Sequence, residues 1–404
     1  MIAPKKNIFL QLMILLLSFN TYAQEESKNK LIHDFELELN VEYRYFFENG
    51  LYQDQKNHFP SLSIKPKYSV EWNDAYDRIT FEGFFRWDRD EQRTHWDIRE
   101  LYYQKAKNRW EFNVGLKKVF WGVTESNHLV DIINQTDQVE SFDGEAKLGQ
   151  PMVQTTFSSD KYGTFDFFYL PYHRKRVFPG GEGRLRFPVL FGKDDLGYEG
   201  GANEWSPGFA FRWSHYFNII DVGITQFYGN GREPVFAFNS TGELNAFYPT
   251  IYQSGLDFQI THNAFLWKLE SIYRYADVQD FFAAVAGVEY TFSNINRKGL
   301  DIGFIAEYLY DSRDELALNA LQNDLFIGSR IAFNDSHDTS ILIGGITDLK
   351  SGSKIFSMEA SRRFGNSWRL ELEARIFGNI DKEEFILSNF RNDSFFKASV
   401  SKYF

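Results

Sequence analysis

Between Val123 and Gln150 the chain carries Glu125, Asp131, Asp137, Glu140, Asp143 and Glu145 against Lys147 alone. One hairpin further on, a second long segment opens with Arg174, Lys175 and Arg176 and adds Arg184 and Arg186 against Glu182. Opposed sets of fixed charge at close quarters make a field that orients dipoles and selects ions, so this spacing suits the passage or binding of small charged solutes. The plainer alternative is a pair of solvated loops whose charges partly pair. The acidic segment, however, also holds Leu129, Val130, Ile132 and Ile133, an apolar stretch out of place in a free surface loop. Long loops with apolar content are commonly packed and functional. The sequence therefore predicts that residues 123–150 fold inward, with their acids facing Arg174, Lys175, Arg176, Arg184 and Arg186.

Other chemistry is thinly represented. There are 8 His, placed singly, and no Cys, which excludes a thiolate metal site and a cysteine nucleophile. Ser126 and His128 lie two apart and Ser214 adjoins His215, but no Gly-x-Ser-x-Gly elbow is present, and chance neighbours are expected among many serines. Asp143-Gly144-Glu145 lacks the spacing of a calcium loop and reads as a turn. No catalytic residue, metal ligand or cofactor is assigned.

The elements that must position these charges read as strands. In residues 35–47, Phe35, Leu37, Leu39, Val41, Tyr43, Tyr45 and Phe47 share one parity, and Glu36, Glu38, Asn40, Glu42 and Arg44 the other, with Phe46 the exception. Side chains alternate faces along a strand, so one side is apolar and the other charged. The same alternation sets Trp267 and Leu269 against Glu270 and Arg274, and Leu370 and Leu372 against Glu371 and Arg375. Many of these runs reach about 10–14 residues, beyond the mode of ~5–6 for soluble sheets and long enough for a tilted transmembrane strand. Connections alternate too: tight turns such as Asn73–Asp77, His262-Asn263 and Gly365-Asn366 at one end, generally longer loops at the other. These features predict an all-β protein, a single transmembrane antiparallel β-barrel of about 18 strands, with 16 as the alternative. The charged parity, including Glu38, Arg44, Glu270, Arg274, Glu371 and Arg375, faces the lumen in this reading.

Composition agrees. The chain is 18% aromatic and 43% hydrophobic, which excludes disorder, and its net charge of −11 argues against nucleic-acid binding. Lys5 and Lys6, an apolar run from Ile8 to Phe19, and Thr21 and Ala23 before Gln24 form a secretory signal peptide over residues 1–23. Residues 24–33 read as a short polar periplasmic leader and 34–404 as the barrel. The last strand ends at Phe404, an aromatic terminus that resembles the signal read by the outer-membrane assembly machinery, although Lys402 stands where an apolar residue is usual.

Val119-Phe120-Trp121-Gly122, Glu125, Leu129-Val130-Asp131-Ile132-Ile133-Asn134 and Asp137 together resemble the strand end and loop of large porin-like outer-membrane proteins of Gram-negative bacteria, near the alginate-export and phosphate-selective porins and uncharacterised porin-like families. The resemblance extends over about 60 residues, to the Arg174 cluster. It implies a passive or facilitated channel without naming the solute. The expected function is thus an outer-membrane porin for small polar or charged organic solutes, with loop 123–150 as candidate constriction and with the lipid bilayer, lipopolysaccharide and the assembly machinery as partners. A barrel enzyme acting on lipid and a non-conducting structural or assembly barrel are the alternatives.

Overall fold

The structure, a computed structural model, describes residues 30–404 except 191–195, 239–243, 296, 315, 316, 318 and 320, and for 196, 237, 238 and 244 the backbone alone. The proposed signal peptide and residues 24–29 of the leader lie outside the described residues. Strands follow one another as β1 (Ile32–Phe46), β2 (His58–Trp72), β3 (Asp77–Trp87), β4 (His95–Lys107), β5 (Trp110–Lys117), β6 (Gln150–Ser159), β7 (Gly163–Leu170), β8 (Leu196–Tyr198), β9 (Gly208–Phe217), β10 (Ile220–Asn230) and β11 (Val235–Phe238). They continue as β12 (Leu244–Tyr248), β13 (Thr250–His262), β14 (Phe265–Ala276), β15 (Phe281–Phe292), β16 (Asp301–Asp311), β17 (Asn323–Ala332), β18 (Ser340–Asp348), β19 (Lys354–Phe364), β20 (Trp368–Gly378) and β21 (Phe395–Tyr403).

All but β8, β11 and β12 form one 18-stranded antiparallel sheet. It closes where β1 meets β21, from Glu38 opposite Tyr403 to Phe46 opposite Phe395. The higher of the two expected strand counts is the observed one. Closure leaves no sheet edge unpaired, the condition for backbone to cross hydrocarbon. The remaining strands form a small three-stranded sheet in the loops of one end, with β12 parallel to β8.

The tight turns share a local cause. Asn108, Asn218, Asn263 and Asn334 sit at φ between 48° and 58°, the left-handed region that asparagine tolerates best after glycine, and each turns one strand into the next. These turns gather at one end. The long connections, including 123–150 and 171–207, gather at the other.

Parity does what the sequence suggests. Val41, Phe112 and Trp267 are exposed on the outer wall, whereas Asn40, Glu42, Glu270 and Arg375 are buried inside. An apolar outer band over a polar interior suits hydrocarbon outside and water within. Phe46, the exception to the alternation, does point inward. It packs with Phe59, Phe377, Phe390 and Phe395 in a core under the long loops. Lys402 sits on the outer face near the turn end, with its ammonium 5.0 Å from the Trp368 ring and donating to Ser367. The aliphatic stem thus covers apolar wall while the charge reaches the turn.

One irregularity matters for the interior. In β4, Glu82 pairs with Glu100 but Gly83 with Ile98, so Arg99 is an extra residue, a β-bulge. Before it the odd residues His95 and Asp97 face inward. After it Leu101 is exposed outside. The bulge lets both Arg99 and Glu100 face the lumen.

Placing a charge on the outer band tests the facing. Val41→Arg, mid-strand on the lipid side, is expected to cost ~2–4 kcal/mol of folding stability, measured by urea titration of the barrel in lipid vesicles. Glu371→Leu on the lumen side should change stability by less. The reverse order would mean the two faces are exchanged.

Candidate functional site

The connection from β5 to β6 does not leave the barrel. Its apolar residues Val130, Ile132 and Ile133 are buried with Trp121 of the same connection and with Met152, Phe168, Phe227 and Ile272 from the wall strands. Burial of each such side chain is worth ~1.5–3 kcal/mol, which gives the loop reason to stay docked. Gly255 in β13 permits the close approach, since a Cβ there would lie 3.1 Å from Val130 Cγ1.

Two wall carboxylates hold the backbone of this loop. Glu270 in β14 has no exposed surface and accepts from the Val123 amide (2.7 Å), the Thr124 amide (3.0 Å), the Thr124 hydroxyl (2.8 Å) and the Val130 amide (3.1 Å). Glu307 in β16 accepts from the Glu125 and Ser126 amides, both at 2.8 Å, and from the Ser126 hydroxyl. Gly287 in β15, opposite Glu307, leaves the space that the Glu307 side chain fills. Buried carboxylates are tolerated when amide donors fill their lone pairs, and each charge-assisted bond is worth about 1.5–3 kcal/mol.

The far half of the loop is held by the opposite wall. Asp137 pairs with Arg99, the bulge residue, and lies 3.7 Å from His95. Glu140 reaches Arg86 Nε at 2.9 Å, and Arg93 bridges Glu42 (2.8 Å) and Asp88 (2.6 Å). Asp143 binds Arg375 of β20 at 2.7 Å. The segment thus runs from β14–β16 across to β3, β4 and β20.

The two charge sets, expected to face each other, do not meet as ion pairs. Among the described residues, no ion pair joins Glu125, Asp131, Asp137, Glu140, Asp143 or Glu145 to Arg174, Lys175, Arg176, Arg184 or Arg186. Glu125 pairs with Arg330 of β17, Asp131 with Lys147 at 3.0 Å and Glu145 with His128 at 3.2 Å. Arg174 pairs with Asp97 (2.7 Å), Lys175 with Glu204 (3.1 Å) and Arg184 with Asp393 (2.7 Å). Arg176 donates to Gln135 and to the Arg232 carbonyl, and Arg186 to the Phe187 carbonyl. The reason is geometric: a loop that crosses the lumen presents its acids to the wall, which is rich in arginine, before it meets a neighbouring loop.

A cavity of about 900 Å³ remains between the loop and the wall of β17–β21. Glu125, Asp131, Asp143, Glu145, Arg176, Arg274, Glu371 and Arg375 line it. Asp137 and Glu140 belong instead to the buried network at β3–β4. Glu38 pairs with Lys65 at 3.1 Å, Arg44 with Glu42 at 3.6 Å, and Glu270 is sealed beneath the loop. The cavity carries two charged sectors. Arg176, Arg274 and Arg313 stand with Glu233 and Asp311 on one, and Glu359, Glu371 and Glu373 with Arg375 and Lys397 on the other. On the turn side, a second space of about 650 Å³ is lined by Arg212, Asp257, Ser159 and Asp221.

Ser126 and His128, the spacing that could suggest hydrolysis, have separate carboxylate partners: Glu307 for the serine, Glu145 and Glu270 for the histidine. Among the described residues no three His, Asp or Glu side chains converge as a metal site requires. Residues that single-residue parity left unnamed include Glu307, Arg93 and Arg99. Glu307 was readable as the one acid among the inward residues Ile305 and Leu309. Arg99 was readable from the parity change between His95-Asp97 and Leu101-Tyr103.

No protein-family model matches the chain, and no curated protein sequence matches it. Solved structures do. OccD3 of Pseudomonas aeruginosa is similar over 92% of this chain and 90% of its own, at 9% identity and a TM-score of 0.50. An engineered variant of the porin of Rh. blastica aligns over 92% and 100% at 10% identity and a TM-score of 0.46. The likeness to OccD3 is one of fold: a closed porin-type barrel.

His128 provides a titration test of the docked loop. Burial disfavours its charged form, but Glu145 and Glu270 outweigh that and raise its pKa to about 10. A histidine raised in the folded state contributes stability in full below its ordinary value of about 6.5 and loses it as pH rises through about 10. Selective ¹³C-histidine NMR should therefore show a midpoint near 10, and a nitroxide at Gln138 should become more mobile toward that pH. A midpoint at the ordinary value would place His128 away from both carboxylates.

Proposed function

We propose that the protein is an integral outer-membrane channel for small polar or charged organic solutes, and that residues 123–150 are its constriction. The observation that carries this reading is the loop crossing the lumen while leaving a charged cavity of about 900 Å³ beside it. Barrels of this strand number enclose an aqueous lumen, unlike barrels of about eight strands, which fill with their own side chains. The apolar outer band, the export signal read in residues 1–23 and the fold shared with OccD3 support the location. The two charged sectors of the cavity, arginine-rich at β14–β16 and carboxylate-rich at β19–β20, favour solutes that carry charge or a large dipole over bulky neutral ones. The separate carboxylate partners of Ser126 and His128 favour a channel over a lipid hydrolase.

Planar-bilayer recording of the purified protein tests this. Wild type should give discrete conductance steps, with ion selectivity readable from the reversal potential. Glu270→Ala with Glu307→Ala should free the loop and alter step size and noise, and deleting Leu129–Asp143 should raise conductance severalfold. A membrane-inserted wild type without conductance would reject the channel. Unchanged steps after the deletion would reject the constriction.

A further inference from the structure

Three arginines line the loop-side part of the cavity: Arg176 after β7, Arg274 in β14 and Arg313 just after β16. Their guanidinium groups are fixed by neighbours that are not solutes. Arg313 is held in a fork by Asp311 (3.0 and 2.6 Å), and Arg274 Nε donates to Gln253 at 2.8 Å. The Phe281 ring lies 3.6 Å from the Arg313 guanidinium and 5.0 Å from that of Arg274. Such groups are organised before any ligand arrives, which lowers the cost of binding one. Against them stands one carboxylate on the short connection between β10 and β11, Glu233. It lies 3.4 Å from Arg274 and 3.7 Å from Arg313. A seated charge-assisted bond measures about 2.7–2.9 Å, and the shorter bonds of both arginines go to Asp311 and Gln253. Glu233 is thus the most loosely held member of the cluster, and it sits on a connection rather than on the wall.

We infer that Arg274 and Arg313, with Arg176 beside them, form an oxyanion station for small carboxylates in the solute path, and that Glu233 is a tethered occupant of it. The chain's own carboxylate fills the site when no solute is bound, and an incoming carboxylate takes its place. The arrangement keeps the arginines from holding an anion so tightly that it cannot leave, because the returning Glu233 competes for the same donors. The inference takes the cavity to be the solute path proposed above, but its test reads binding rather than conduction.

The probe is acetate, in low-chloride buffer, with detergent-solubilised barrel and saturation-transfer NMR. A site filled by its tethered carboxylate nine-tenths of the time binds an external ligand about tenfold more weakly than the same site left open. Glu233→Gln is therefore expected to tighten acetate binding about tenfold, and adding Arg274→Gln to it should remove the gain. Glu233→Asp, with a shorter reach, should fall between wild type and Glu233→Gln, and it provides the reading if Glu233→Gln does not fold. Equal acetate affinity in wild type and the Glu233 variants would overturn the inference. So would a gain that survives Arg274→Gln. A wild type that binds acetate as expected but does not conduct would reject the channel and keep the station.

Discussion

The interior is organised around a buried charge. Glu270 projects from β14 into a region without exposed surface, and an ionised carboxylate there is tolerated only if donors replace its water. The wall strands spend their own amides on the ladder. The donors come instead from the backbone of Val123, Thr124 and Val130 and from the Thr124 hydroxyl. Removing the loop would strand that charge, a penalty on the order of 3–5 kcal/mol for a broken buried pair. Apolar burial of Val130, Ile132 and Ile133 acts in the same direction. Position and depth of the loop thus follow from one wall residue and the hydrophobic stretch beside it.

Once that end is fixed, the remaining length decides where the acids go. Asp137, Glu140 and Asp143 come to rest against Arg99, Arg86 and Arg375. Much of the lumen charge at β3–β4 is consumed in this way, in a buried network with little room for a solute. The open cavity is left to β17–β21, and the charges that face it come from Arg274 and Arg313 at one side and Glu359, Glu371 and Glu373 at the other. A lumen divided into a sealed half and an open half lets one barrel hold both a buried charge network and a charged cavity.

The architecture was largely legible in the sequence because its signals are local. Parity fixes facing, and asparagine in the left-handed region fixes turns. The inward course of 123–150 was legible from Leu129 to Ile133, since those residues have nowhere else to leave water. The partners of its acids were not. Proximity along the chain pointed to Arg174–Arg186, whereas closure of the sheet brings Arg86, Arg99 and Arg375 nearer, and closure is a long-range property that no local window contains. Arg99 showed in the sequence only through the change of parity that the bulge makes within one strand. Glu307 showed only as an acid of inward parity between Ile305 and Leu309.

The most direct measurement uses the absence of cysteine in the chain. A Cβ at position 255 would lie 3.1 Å from Val130 Cγ1, which brings the two Cβ atoms within disulfide reach. Thr225→Ala clears the hydroxyl that crowds position 255. In that background, Val130→Cys with Gly255→Cys should form a disulfide under mild oxidation, seen as a crosslinked peptide by mass spectrometry without reduction, while the barrel remains folded. If both thiols stay free in the folded barrel, the loop does not lie against β13, and its role in shaping the lumen is contradicted.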